Sequence, residues 1–197
     1  MAQEREPIVN GRDRKSKDAK SVIIRVRRKP GQNPALALLQ LGTEAWPCRL
    51  GSAGMTARKR EGDGATPIGR YELLRGHVRQ DRTIRRRLRA ERLRPISRRD
   101  GWCDAPDHAA YNRAVKLPFA ASHERLWRKD RLYDLMFALD WNMHRRSRNR
   151  GSAIFFHLAP DDPEKGTEGC LALAPHHMEQ MLQRLDHVPG PIIFDVR

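Results

Sequence analysis

No apolar stretch in this chain approaches the ~20 residues that a membrane-spanning helix requires, which excludes a transmembrane helix. Paired cysteines are missing as well. The three present, Cys48, Cys103 and Cys170, are odd in number and show no C-x-x-C spacing, so neither a disulfide framework nor a four-ligand zinc site is expected. Aromatic residues make up only 6%. Their scarcity along the arginine-rich stretch argues against a stacking platform for single-stranded nucleic acid. It also argues against an immunoglobulin-type core. The first twenty residues, MAQEREPIVNGRDRKSKDAK, show no apolar run after their charges. No secretory signal is visible there, and residues 1–20 read as a flexible basic tail.

What the chain has in excess is arginine. Of 39 cationic side chains only eight are lysine, and the formal net charge is +15 with a pI near 10.8. Arg79, Arg82, Arg85, Arg86, Arg87, Arg89, Arg92, Arg94, Arg98 and Arg99 concentrate in one segment. Such a field attracts polyanions at long range, whether nucleic acid, an anionic membrane surface or an anionic envelope polymer. It equally suits a solvated surface.

Despite a mean hydropathy of −0.77, the apolar residues are bunched into strand-length runs, the pattern of a folded core. Val22 to Val26, Ala35 to Leu41, Ala45 to Leu50, Tyr71 to Val78, Leu132 to Trp141, Ile154 to Leu158 and Ile192 to Val196 read as strands. Pro175 opens a helix in which Met178, Met181, Leu182 and Leu185 fall at helical spacing. The arginine segment reads as loop with a helical turn around Ile84 to Leu88. Seven or so strands and one short C-terminal-region helix predict a mainly β (α+β) domain over residues 21–197. Antiparallel pairing is expected, since an alternating α/β sheet needs a helix after nearly every strand.

Two residues stand out chemically. His157 ends the apolar strand Ile154-Phe155-Phe156-His157, and a polar loop later comes Thr167-Glu168-Gly169-Cys170-Leu171-Ala172-Leu173. A strand, loop and return bring imidazole and thiol close. That matters because a thiol is only slightly ionised at neutral pH unless a neighbouring base accepts its proton. Gly169, with no Cβ, permits a turn whose backbone N–H groups converge on an oxyanion. The opposing reading makes His157 a satisfied strand-end histidine and Cys170 an inert core thiol.

The strand-His and Thr-Glu-Gly-Cys-Leu-Ala-Leu block resembles the active-site motif of the YkuD-type L,D-transpeptidase family. Arg60-Glu61-Gly62-Asp63-Gly64-Ala65-Thr66-Pro67-Ile68-Gly69 is similar to that family's upstream Gly-x-x-x-Thr-Pro-x-Gly signature. Gly101-Trp102-Cys103-Asp104 through Tyr111-Asn112, with Gly151-Ser152-Ala153-Ile154, is similar to a short branch of it. The resemblance implies a YkuD-like β-sandwich or cradle acting on peptidoglycan stem peptides in the periplasm or cell envelope. It also implies a Cys170 nucleophile that forms a thioester, a His157 base oriented by a backbone carbonyl, and an oxyanion hole from the N–H groups of Gly169 and Cys170. Thr167, Trp102, Tyr111, Asn112, Asn142 and His144 are candidates to line the substrate groove. No metal or organic cofactor is implied.

Two positions depart from the family pattern. Glu168 stands where a histidine is usual, and Ala172 where an arginine is usual two residues after the cysteine. Losing that guanidinium removes a rigid fork for a carboxylate, with Arg145, Arg148 and Arg150 as candidate replacements. The resemblance leaves 3,3 and 1,3 cross-links open, as well as hydrolysis of the thioester by a carboxypeptidase or amidase. A polyanion-binding module is the reading from a different class.

Overall fold

The computed structural model describes residues 20–31, 33–82 and 93–197. The expected tail, apart from Lys20, and the helical turn at Ile84 to Leu88 lie outside the described residues. Strands account for 40% of the described residues and helix for 7%, the mainly β composition expected from the apolar runs.

Among the described residues, fourteen strands and one helix follow in the order β1 (Val22–Arg28), β2 (Leu36–Leu41), β3 (Glu44–Arg49), β4 (Met55–Thr56), β5 (Thr66–Pro67), β6 (Gly69–Val78), β7 (Leu93–Pro95), β8 (Asp100–Cys103), β9 (Arg113–Lys116), β10 (His123–Arg125), β11 (Leu135–Leu139), β12 (Phe155–Leu158), β13 (Leu171–Leu173), α1 (Pro175–Leu185) and β14 (Ile192–Val196). The large sheet runs β11-β12-β13-β3-β2-β1-β14-β6-β7, and β11 also pairs with β6, so eight of its strands close into a ring. Closure removes the unpaired edges that an open sheet of this size would expose. The pairing is mixed, not uniformly antiparallel. β1 with β14, β12 with β13, β6 with β7 and β4 with β5 are all parallel. Parallel neighbours need a crossover connection, so no tight hairpin turn announces them.

Alternation explains how these strands face two cores. On β1, Ile24 and Val26 are fully buried while Arg25 points to solvent. α1 lays Met178, Met181, Leu182 and Leu185 onto the first core, which holds Leu39, Trp46, Phe137, Phe156, Leu171, Leu173 and Phe194. Pro175 occupies its first turn, where the missing N–H costs nothing.

β11 and β12 are apolar at nearly every position because they are covered on both faces. Their other face carries Met136, Ala138 and Phe155, which pack with Cys170, Trp102, Tyr133 and Leu126 into a second core. Over this face lies a separate sheet, β10-β8-β9. Trp102 therefore sits in a strand that packs on this second core. These strands are three or four residues long, too short for alternation to register.

Candidate active site

β12 and the start of β13 place the two side chains singled out in the sequence, His157 within β12 and Cys170 just before β13. The two strands run parallel with Phe156 beside Leu171 and His157 beside Ala172. Counting back one step puts Cys170 beside Phe155. Side chains two residues apart share a face. Cys170 and His157 are therefore diagonal neighbours on the second-core face.

The His157 ring is 3% exposed, and its Nδ1 lies 2.7 Å from the Leu158 carbonyl oxygen. A carbonyl only accepts, so Nδ1 carries the proton and Nε2 of the neutral ring keeps a free lone pair. No carboxylate is needed to set this tautomer. Tyr133 fixes the ring plane, meeting His157 edge-to-face at 5.2 Å and Phe155 at 5.8 Å between centroids. Burial pulls the imidazole pKa down to about 4, outweighing the opposing effect of the Leu158 bond.

The Cys170 thiol is 7% exposed; it donates to Ala153 O and accepts from Phe155 N–H, both at 3.3 Å. Burial pushes it up to about 12, with Glu124 adding in the same direction. The resting pair is thus a neutral thiol and a neutral imidazole. Ala153 adopts φ +51°, an unusual conformation for a residue with a Cβ, and this turns its carbonyl to the sulfur. Asn112 holds that bend: its Oδ1 accepts from Ala153 N–H at 3.1 Å and from Trp102 Nε1 at 3.0 Å, while its Nδ2 donates to Trp141 O at 2.9 Å.

Three motifs separated in sequence converge on the backbone around the thiol. Thr167 Oγ1 donates to Cys170 O at 2.8 Å, and Thr66 Oγ1 does so at 3.2 Å. Thr66 Oγ1 also accepts from Gly51 N–H at 2.8 Å. The Gly169 N–H meets Thr167 Oγ1 at 3.2 Å, so it reaches an oxyanion only by releasing that hydroxyl. Gly169 itself adopts φ +127°, and a Cβ there would stand 2.9 Å from Ala65 O.

The remaining sequence candidates fall into scaffold and rim. Trp102, Tyr111 and Asn112 are buried; Trp102 meets Phe155 edge-to-face at 5.2 Å, and the Tyr111 hydroxyl donates to Glu61. Asn142 organises the basic loop after β11, accepting from Ser147 N–H at 2.8 Å and donating to Ser147 O and Gly151 O. His144 lies exposed on that loop, 3.6 Å from Asp140. Ala172 is fully buried beside His157, which seals the position where the family carries its guanidinium. Arg145, Arg148 and Arg150 are all exposed on the rim, and Arg148 reaches Asp107 at 3.5 Å.

Sequence reasoning missed Tyr133, Glu124 and Lys59. Tyr133 donates its hydroxyl to Glu124, and burial raises that carboxyl despite the Tyr133 bond and Arg128. Lys59 is 3% exposed and ion-paired to Asp63. A lysine in a Gly-rich charged stretch gives no signal of burial. Several arginines of the basic segment proved structural: Arg79 stacks 3.5 Å over Trp127, Arg82 bonds Asp134 at 2.7 Å, and Arg99 bonds Leu117 O at 2.8 Å. Arg85 to Arg92 lie outside the described residues. Among the described residues no group of His, Cys, Asp or Glu could hold a metal ion, and no helix is long and apolar enough to cross a membrane.

The family model of the L,D-transpeptidase catalytic domain, YkuD, matches residues 23–193. Among solved structures, the helical cell shape determining protein Pgp2 from Campylobacter jejuni is similar at 14% identity and a TM-score of 0.42, over 91% of this chain and 48% of that one. Bd1075 from Bdellovibrio bacteriovorus is similar at 15% identity and a TM-score of 0.41, over 92% and 50%. The chain spans about half the length of these two proteins. A search of curated proteins found no match.

Proposed function

Because the chain belongs to the YkuD family of L,D-transpeptidase catalytic domains, we propose that it is a cysteine-dependent acyltransferase of the cell envelope acting on peptidoglycan stem peptides. One observation carries the reading: a thiol and an imidazole share one face of β12 and β13, with Nε2 of His157 left basic by the Nδ1 contact to Leu158 O.

In this mechanism the Cys170 S–H turns from Ala153 O toward His157 Nε2, which takes the proton as sulfur attacks the carbonyl of a diaminopimelate residue. The backbone N–H groups of Gly169 and Cys170 receive the oxyanion, Thr167 having released the first of them. His157 then returns the proton to the departing D-alanine amine, and a thioester remains on Cys170. An amine of a second stem, the diaminopimelate side-chain amine for a 3,3 cross-link or the amino group of the first-position alanine for a 1,3 cross-link, attacks that thioester, loses a proton to His157 and leaves with a new peptide bond. A thiol raised by burial and a base lowered by burial disfavour a pre-formed thiolate–imidazolium pair. Proton transfer accompanies attack, and no stored ion pair has to form beforehand.

The test is incubation of purified protein with tetrapeptide muropeptides, wild type beside Cys170→Ala. Released D-alanine, a thioester mass on the Cys170 peptide and a cross-linked dimer, all lost in the variant, are expected. Fragmentation of the dimer assigns 3,3 or 1,3 linkage. Shortened monomers without dimer would replace transfer by hydrolysis, and unchanged activity in Cys170→Ala would overturn the nucleophile.

A further inference from the structure

Lys59 is a buried charge, close to the thiol, for which the mechanism above has no use. Its side chain runs between two glycines: a Cβ on Gly151 would lie 2.8 Å from Lys59 Cε, and one on Gly169 would lie 3.2 Å from Lys59 Nζ. Gly151 adopts φ +84° and Gly169 φ +127°, so both positions suit glycine on backbone grounds too. The ammonium ends beside the residue that precedes the nucleophile, in a place that side chains at 151 and 169 would close.

Asp63 clamps it there. Its Oδ1 accepts from Lys59 Nζ and from Ala65 N–H at 3.0 Å, and its Oδ2 accepts from Arg60 N–H at 2.8 Å. These bonds hold the Asp63 carboxyl below the usual range, although its partial burial works the other way. The same turn carries Ala65, whose carbonyl abuts Gly169, and Thr66, whose hydroxyl reaches Cys170 O. The lysine therefore belongs to the wall of the thiol site.

Tyr133 and His157 line the same face as Cys170, and Arg128 sits 5.1 Å from the Tyr133 ring centroid; the charged groups that act on the thiol itself include Glu124, Lys59 and the exposed Glu168. Two are carboxylates that oppose a negative sulfur. Lys59 is a cation that favours it.

Resting on the acyl-transfer reading, we propose that Lys59 is a positioning residue of this site, a fixed charge that offsets the negative charge forming at Cys170 and compensates for Glu124 and Glu168. A buried charge of this kind acts at a distance of several ångströms because little water screens it. Asp63 tunes it, since the carboxylate cancels part of the field at the sulfur. Removing the lysine charge and removing the aspartate charge must then act on the thiol in opposite directions. A purely structural turn would not produce opposite signs.

The experiment reads alkylation of Cys170 by iodoacetamide against pH, quantified by mass spectrometry of its peptide, with no muropeptide present. Lys59→Met is expected to move the profile up by about one pH unit, roughly a tenfold slower alkylation at neutral pH. Lys59→Arg keeps the charge and is expected to stay near wild type, whereas Asp63→Asn moves the profile down. A Lys59→Met profile that superposes on wild type overturns the inference. So does an arginine variant as impaired as the methionine one, or an Asp63→Asn shift upward. If Lys59→Met does not fold, the sign of the Asp63→Asn shift decides. Muropeptide turnover surviving in Cys170→Ala would sink the acyl-transfer reading itself, whereas an unmoved alkylation profile with that turnover abolished would sink the Lys59 inference alone.

Discussion

Gly169→Ala should cost stability well beyond an ordinary glycine replacement, and Gly62→Ala supplies the comparison. Both glycines have positive φ, +127° at Gly169 and +71° at Gly62. Nothing lies within 4 Å of a Cβ placed on Gly62, so its penalty is the left-handed backbone alone, about 1–2 kcal/mol. At Gly169 the added carbon would meet Ala65 O at 2.9 Å and Lys59 Nζ at 3.2 Å. The first is backbone, held by the β4–β5 pairing and the Asp63 turn, and does not move cheaply. Conformational strain of about 1–3 kcal/mol plus a shift of that carbonyl brings the total to about 2–4 kcal/mol. For a chain of this size the loss corresponds to a Tm lowered by about 5–12 °C. Thermal unfolding followed by circular dichroism, both variants beside wild type, measures it. A Gly169→Ala midpoint equal to that of Gly62→Ala would refute the account of close packing between the two motifs.

Two further outcomes follow from the same geometry. Thr66→Val leaves the buried Gly51 N–H without its acceptor and removes one of two hydroxyls on Cys170 O. A loss of about 1–3 kcal/mol in urea unfolding is expected, and an unchanged midpoint would count against the bridge. Acid should destabilise the fold through His157 and His77. Burial lowers each to about 4, whereas the unfolded chain titrates near 6.5. The unfolded state then binds more protons in that window. The contribution of each histidine is complete above pH ~6.5 and lost as pH falls through ~4, about 3 kcal/mol apiece. His157→Gln should flatten the acid limb between those values, and a limb parallel to wild type would contradict it.

Much of the β framework was legible because burial leaves a period in the sequence. The runs around Ile24, Leu39, Phe156 and Phe194 are strands, and the Met178-Met181-Leu182-Leu185 spacing is a helix. β8, β9, β10 and β13 escaped notice, being three or four residues long. The run from Leu132 to Trp141 narrowed to Leu135–Leu139, because Tyr133 and Asp134 turn away to meet Glu124 and Arg82. The four parallel pairings had no hairpin-turn signature, since a parallel pair needs a crossover, and the closure of β6 on β11 joins segments remote along the chain.

The amino-acid sequence alone determined the chemistry available: one thiol after a glycine, one imidazole ending an apolar strand, and a Gly-rich turn upstream. Residue identity and spacing carry that information directly. Only the tertiary structure decided how these groups act. It set the His157 tautomer through Leu158 O, aimed Ala153 O at the sulfur, and bound Thr66 to the Cys170 backbone. It also sealed Ala172 and threaded Lys59 between two glycines. Such contacts depend on register and chain closure, which arise from pairing across long loops. They exist only once the ring of strands is complete.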